Sequence, residues 1–173
     1  MLRQTPGPAS NPRETAPNVG VGRSPGGPPL GLNSIWLFDI IDGMGLELAV
    51  SEEAGVRFVE GPPELPLILR TEDATLLVEA CFSHRAKAAL LHAPNLTQKF
   101  FDLSSGEAGA ILQKLRNYRI RLAIVCPPGT VQFSSRFGEM ATEESRTGYF
   151  QVFESDRAAR EWLSKAPPPT WMQ

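Results

Sequence analysis

The sequence has only two cysteines, Cys81 and Cys126, among its 173 residues. Two cysteines do not make the disulfide framework of a small secreted domain, so we expect a protein of a reducing compartment, the cytoplasm. No apolar run approaches the roughly 20 residues that a membrane-spanning helix needs, so membrane insertion is not expected. The net charge of −2 supplies no broad basic field, which argues against nucleic acid as a partner.

Motifs that carry catalysis or bind cofactors are also missing. Neither a Walker loop nor G-x-G-x-x-G occurs, and no set of nucleophile, base and orienting group can be assembled. Cys81 and His84 are spaced compatibly with metal binding, but no second ligand pair accompanies them. His92 has no partner visible in the sequence. We therefore predict no catalytic residue, no cofactor and no metal.

Residues 1–34 differ in composition from the rest of the chain. They hold seven of the 16 prolines and six of the 15 glycines, with no aromatic residue. Such a segment buries too little apolar surface to offset the entropy of ordering it. We therefore predict a disordered arm over 1–34, a folded domain over 35–166 and a short tail over 167–173.

Apolar patterning predicts strands that alternate with helices inside the folded domain. Helical spacing after Thr71 places Ala74, Leu77, Val78, Cys81 and Phe82 on one inward face. Short apolar runs predict strands, the first two joined by the turn "DGMG". The predicted strands are 35–41, 46–50, 56–60, 88–93, 120–126 and 149–153. The predicted helices follow Thr71, Ser104 and Ser155, with a shorter one in part of 134–145.

This order predicts an α/β domain. Its sheet is mostly parallel, carries an antiparallel hairpin at its N-terminal edge and is covered by about four helices. The basic cluster "RNYRIR" at 116–121 is expected to cover a helix end, where cations suit the helix dipole.

The stretch "FFDLSSGEAG" at 100–109 is the most distinctive in the chain. Ser104 and Glu107 fit a capping box, in which Ser104 is the N-cap of a helix and Glu107 reaches back to it. Asp102 lies where the positive end of the helix dipole favours an acid. The candidate site consists of Asp102, Ser104, Ser105, Gly106 and Glu107.

Residues 99–125, "KFFDLSSGEAGAILQKLRNYRIRLAIV", resemble an uncharacterised bacterial family known only as a domain of unknown function. Its members carry F-F-D-L-[ST]-[ST]-G-x-A-G-x-[IL]-L-Q-K, followed by N-Y and A-I-V. The resemblance extends more weakly from Ile35 to Ala166. This sequence departs from the family at "CPPG", where Gly-Asp is usual, and at Arg146, where asparagine is usual.

The same order of elements is more distantly similar to STAS domains, the anti-sigma-factor antagonists. Their motif is close to F-M-D-S-S-G-L-G, and a partner kinase phosphorylates its first serine. Alignment on Ser-Ser-Gly carries that position to Ser104, whereas alignment on Asp102 carries it to Leu103.

The resemblance implies a non-enzymatic regulatory or protein-interaction domain with a protein partner, and Ser104 is its candidate switch. Two alternatives stay open. One is a small-molecule or lipid carrier with a roomy apolar cavity. The other is an enzyme that uses Asp102, Ser104 or Cys126.

Overall fold

The structure, a computed structural model, describes residues 46–68 and 70–165, and all of these belong to one compact unit. The predicted arm over 1–34, the strand over 35–41 and the tail over 167–173 lie outside the described residues. The described strands are β1 (Ala49–Glu53), β2 (Val56–Glu60), β3 (Ala88–His92), β4 (Arg121–Val125) and β5 (Phe150–Phe153). The helices are α1 (Asp73–Ser83), α2 (Glu107–Asn117), α3 (Ser135–Thr147) and α4 (Asp156–Ser164).

The five strands form one sheet in the order β1-β2-β3-β4-β5. β1 and β2 are antiparallel, and every later pair is parallel. Because right-handed crossovers between neighbouring parallel strands all fall on the same side, α1, α2 and α3 cover one face of the sheet. α4 follows the last strand and packs on the other face. The predicted α/β class is confirmed, including the antiparallel pair and the four helices.

The observed antiparallel hairpin joins β1 to β2, whereas the predicted one joined 35–41 to 46–50 through "DGMG", which lies outside the described residues. The predicted strand over 46–50 lies three residues further along the chain, at Ala49–Glu53. Its two-residue turn is Ala54–Gly55, and both residues have positive φ, 50° and 77°. Positive φ at both positions defines a type I′ turn, whose twist matches that of antiparallel strands. The position of β1 is thus set by its pairing with β2 and not by the more apolar run "LELAV".

Ala54→Asn is expected to stabilise the protein by about 0.5–1 kcal/mol. Asparagine tolerates the left-handed conformation better than alanine does, and Asn-Gly is the favoured pair for this turn. The midpoint of urea unfolding should rise with an unchanged dependence on denaturant concentration. Ala54→Val is the opposite control, because a β-branched residue is strained at positive φ. A stabilisation by valine would contradict the assigned turn.

The sheet separates two hydrophobic cores. The larger core lies under α1, α2 and α3 and includes the fully buried ring of Phe100. The smaller core joins Phe58 and Leu90 to α4. One predicted core residue is misplaced, since Phe82 is 62% exposed. Phe82 lies at the margin of the α1 stripe, whose described buried members are Ala74, Leu77, Val78 and Cys81.

Candidate functional site

The stretch after β3 forms two short 3₁₀ turns before α2 begins. The first covers Gln98–Phe101 and the second Leu103–Ser105. Gly106, in the left-handed conformation, is the N-cap of α2. The predicted capping box is therefore wrong. Glycine at φ 76° ends the second turn and starts the helix, with no side-chain cap.

Each polar side chain of the predicted box has a different partner instead. The Ser104 hydroxyl donates to Asp102 Oδ1 at 2.7 Å, and the Ser104 N–H donates to the same oxygen at 3.0 Å. The Ser105 hydroxyl donates to the carbonyl of Lys99 at 2.5 Å and accepts from the Glu107 N–H at 3.1 Å. Thr97 donates to the Glu107 carboxylate at 3.1 Å. The polar residues of the Ser-Ser-Gly-Glu pattern do form local hydrogen bonds, but these bonds stabilise two 3₁₀ turns rather than the first turn of a helix.

Buried aromatic rings fix the position of this loop. Phe100 and Phe101 are both about 1% exposed and pack edge to face with their ring centroids 5.3 Å apart. Phe137 of α3 contacts both rings. Ser134 adds a backbone hydrogen bond, because its N–H donates to the carbonyl of Phe101 at 3.3 Å. The segment is thus anchored on one side, while Asp102, Ser104, Ser105 and Gly106 face solvent.

The exposed Asp102 carboxylate is stabilised in its ionised form. The hydrogen bond from the Ser104 hydroxyl, followed by the bond from the Ser104 N–H, holds the pKa of Asp102 below its usual value of 3.8. Hydrogen bonds to the charged form of an acid always act in this direction. Asp102 and Ser104 therefore form one coupled unit on the surface.

A second group of polar side chains lies on the α4 face of the sheet, at the end of β2. We call it the Glu60 cluster; its members are Ser51, Glu53, Glu60, His92, Asp156 and Arg160. Ser51 donates to Glu60 Oε2 at 3.0 Å, and Arg160 donates to Glu60 Oε1. Arg160 also binds Asp156 at 2.6 Å and Glu53 at 3.3 Å.

The buried Glu60 is ionised in spite of its burial. Burial raises the pKa of Glu60, but His92, the charge of Arg160 and the hydrogen bonds from Arg160 and Ser51 outweigh that effect and lower it. His92 Nε2 lies 3.9 Å from Glu60 Oε1, which is too far for a hydrogen bond. Arg160 and Ser51 are therefore the direct stabilisers of the carboxylate.

Glu60, His92 and Asp156 each place one ligand atom within 4.8 Å of the others, a spacing that could hold a metal ion. The bonding of His92 argues against this. Its ring accepts a hydrogen bond from the Asn95 N–H, whereas the buried Nε2 has no partner. Nδ1 is thus the acceptor, and in the neutral ring the proton lies on Nε2, the nitrogen that would have to bind the metal. Because Arg160 also holds both carboxylates, these residues do not fit a metal ion.

Glu60→Gln is expected to lower the free energy of unfolding by about 1–2 kcal/mol at neutral pH, because Arg160 loses a charged acceptor. The folded pKa lies below the usual 4.5, so this contribution is present above that value and is lost as the pH falls through the folded pKa. Urea unfolding at a series of pH values should show wild type and variant converging in acid. The exposed Glu154→Gln is the control. If the difference in unfolding free energy between wild type and Glu60→Gln stayed constant with pH, the ionisation of Glu60 would not contribute to stability.

The other residues noted in the sequence occupy structural positions. Cys81 is buried, desolvation raises its pKa to about 12, and its sulfur lies 3.9 Å from the carbonyl oxygen of Ala88. Cys126 is buried after β4, and desolvation raises its pKa as well. Both thiols are free. Within the cluster at 116–121, Arg121 is buried against the end of α4.

Sequence reasoning missed the Glu60 cluster. Its members come from β1, β2, the end of β3 and α4, so no local spacing connects them. The one available signal was the position of Glu60 and His92 at the ends of predicted neighbouring strands. Parallel neighbours β2 and β3 bring those two ends together at one edge of the sheet.

The fold and these two sites define a small α/β domain in which consecutive strands are neighbours. The chain belongs to a family described as a domain of unknown function (DUF4180), which matches residues 53–163. No curated protein and no solved structure matches the chain. The detailed signature at 99–125 and the similarity to STAS domains stay predictions. Across residues 46–68 and 70–165, every helix falls short of the length and hydrophobicity that a transmembrane span requires.

Proposed function

We propose that this domain is a non-enzymatic protein-interaction module with a regulatory serine. Its partner-binding surface consists of Asp102, Ser104, Ser105, Gly106 and Glu107. The observation that carries the proposal is the combination of exposed hydroxyls with an anchored backbone, since Phe100 and Phe101 are buried directly beside the loop. A loop that is ordered before binding loses little entropy when a partner binds.

The strand order supports a binding role over a catalytic one. Ligand crevices in open α/β sheets form where the strand order reverses. The described strands follow each other in sequence order, so no reversal occurs among them. The carboxylate at the end of β2, Glu60, is occupied by Arg160 and Ser51 in the Glu60 cluster. We place the protein in the cytoplasm, with a protein rather than a nucleic acid or a membrane as its partner.

Phosphorylation of Ser104 would act on the turn rather than on the core. A phosphate replaces the hydroxyl proton that Ser104 donates to Asp102 and adds about −1.5 to −2 charges beside that carboxylate. The N-terminal end of α2 favours the added charge, whereas Asp102 and Glu107 repel it. Because these effects oppose each other, we expect phosphorylation to change the affinity for the partner more than the free energy of unfolding.

The decisive experiment identifies the partner by cross-linking and co-purification from the native cell, with mass spectrometry to detect phosphate on Ser104. Affinity for that partner is then measured for wild type, Ser104→Asp and the matched control Ser105→Asp. We expect Ser104→Asp to change the affinity about tenfold, the scale of charge-assisted hydrogen bonds, and Ser105→Asp to change it less. A Ser104→Asp protein that binds as wild type does excludes the switch. The absence of any cross-link at 102–107 excludes the surface.

The coupling of Ser104 to Asp102 can be tested without a partner. Ser104→Ala removes the larger of the two hydrogen bonds that lower the Asp102 pKa, so that pKa should rise towards its usual value while the N–H bond keeps part of the shift. The measurement is an NMR titration of the Asp102 side-chain carbon. Thr130→Ala, an exposed hydroxyl in another loop, is the control that should leave the titration unchanged. An unshifted Asp102 in Ser104→Ala would show that the turn is not formed in solution.

A further inference from the structure

Two aromatic side chains stand exposed at the ends of neighbouring helices. Phe82 of α1 is 62% exposed, and Tyr118, which follows α2, is 52% exposed. The two rings contact each other edge to face, with their centroids 5.8 Å apart. Exposed aromatic rings that lie together are characteristic of binding surfaces, whereas single exposed apolar residues are ordinary.

The backbone at both helix ends holds this pair in place. Each helix closes with an arginine at positive φ, Arg85 at 54° and Arg119 at 56°. The chain then turns back through hydrogen bonds from Ala86 N–H to the Cys81 carbonyl and from Ile120 N–H to the Leu115 carbonyl. Because helices between parallel strands run antiparallel to them, both ends lie at the amino edge of the sheet. The 102–107 loop precedes α2 and lies at the opposite edge.

The charges around the pair are mainly positive. Arg85, Lys87 and Arg119 are exposed, and their side chains bond to none of the described residues. Lys114 is excluded from this set, because it donates to Thr75 in the first turn of α1, about two turns before Phe82. Glu79, one turn before Phe82, is the acid that α1 contributes beside them. The neighbouring cations Arg116 and Arg121 are excluded from this surface, since Arg116 pairs with Glu144 and Arg121 is buried.

We propose that Phe82, Tyr118, Arg85, Lys87 and Arg119 form a second docking surface, the amino-edge surface, for an acidic protein segment that carries an apolar side chain. The rings supply an apolar contact, and the unpaired cations supply complementary charge for carboxylates. A protein segment is favoured over single-stranded nucleic acid because a short segment with a few carboxylates is opposed less by the chain's net charge of −2 than a polyanion with one charge per nucleotide. This surface is separate from the 102–107 loop, so the module has one binding surface at each edge.

The probe is a displayed library of random peptides, selected on the full chain and depleted on a Phe82→Ser/Tyr118→Ser variant. We expect the enriched peptides to combine Asp or Glu with Leu, Phe or Trp. A synthetic copy of the enriched sequence should bind wild type about tenfold more tightly than the double variant, the effect of removing central aromatic contacts. Phe133→Ser removes an exposed ring at the other edge and is the matched control that keeps binding.

A second variant separates loss of binding from loss of structure. If the two rings only brace α1 against α2, Phe82→Ser/Tyr118→Ser would lower stability, whereas Arg85→Gln/Arg119→Gln would keep both the fold and peptide binding. Under the proposal, Arg85→Gln/Arg119→Gln weakens the peptide about threefold to tenfold and reduces the salt dependence of binding. No enrichment, enriched peptides without acids, or tight binding by both variants would overturn it. If a fluorescent oligothymidylate bound the same residues more tightly than the peptide does, the partner would be a nucleic acid and not a protein. Ser104→Asp should leave peptide binding unchanged, which separates this surface from the 102–107 loop.

Discussion

Asn95→Asp is expected to destabilise the protein by about 3 kcal/mol or more at neutral pH. Asn95 is fully buried, and its amide nitrogen donates to the carbonyls of Pro62 and Leu65, both at 2.6 Å. Its amide oxygen accepts from the His92 N–H at 2.6 Å. A carboxylate keeps the acceptor but places negative charge against two carbonyl oxygens. The substitution therefore changes one donor group and turns two attractive contacts into repulsive ones.

The surrounding loop has no room to adapt. A Cβ atom on Gly61 would lie 2.5 Å from Asn95 Oδ1, so this loop packs directly on the amide. The Asn95 carbonyl also accepts from the N–H groups of Leu67 and Ile68. Asn95 thus connects the segment after β2 with the segment after β3, and the loss of its amide donor affects both.

The measurement is the free energy of unfolding from urea titrations as a function of pH. Burial and the two carbonyls raise the pKa of an aspartate at position 95, so the variant should recover part of its stability as the pH falls and the acid becomes protonated. Asn117→Asp makes the same chemical change at an exposed helix end and should cost no more than about 0.5 kcal/mol. If the two variants were equally stable at neutral pH, Asn95 would not be the central hydrogen-bonding residue of these loops.

Arg121→Met is expected to cost about 3–4 kcal/mol. The buried Arg121 guanidinium donates to the carbonyls of Trp162 at 3.0 Å and of Lys165 at 2.7 Å at the end of α4, and to the carbonyl of Gly148 at 3.1 Å. It also lies 3.9 Å from the centre of the Trp162 ring. These carbonyls terminate helices, where a cation is favoured by the dipole. Methionine fills much of the volume but leaves the carbonyls without a donor.

Hydrogen exchange localises this effect. Amides of α4 should lose most of their protection in Arg121→Met, because α4 is the helix that Arg121 holds on its face of the sheet. Arg121→Lys should be intermediate, since one ammonium cannot reproduce a planar guanidinium that binds several carbonyls at once. The exposed Arg119→Met is the control and should stay within about 0.5 kcal/mol of wild type. Uniform loss of protection across α1, α2 and α4 would argue against a local capping role.

Most of the elements could be predicted because their signals are local. The apolar runs of β3 and β4 are buried on both faces, and such runs are visible without any partner. The Ser155 N-cap of α4 was also visible, and its hydroxyl accepts from the Ala158 N–H at 3.4 Å. The order of these elements then limits the topology, because parallel neighbours require crossovers of one hand.

Three features could not be predicted, each for a physical reason. Strand β1 is set by its pairing with β2 across the Ala54–Gly55 turn, and the apolar run at 46–50 gives no information on that pairing. Phe82 has the helical spacing of the buried face of α1, yet its own exposure depends on whether another element packs against the edge of that face. Gly106 starts α2 because its φ of 76° ends a 3₁₀ turn, a conformation that Ser-Ser-Gly permits but does not require.

The α/β class, the four helices and the parallel strands follow from the sequence alone, because apolar periodicity and the residues that end helices and strands act over a few positions. The sequence also singled out Asp102 and Ser104, which are neighbours in the chain and bond to each other. The Glu60 cluster and the amino-edge surface exist only in the folded protein. Their residues lie far apart in sequence and meet through strand pairing and helix packing. Contacts of that range depend on the whole chain, whereas a capping residue or an apolar stripe depends only on its own segment.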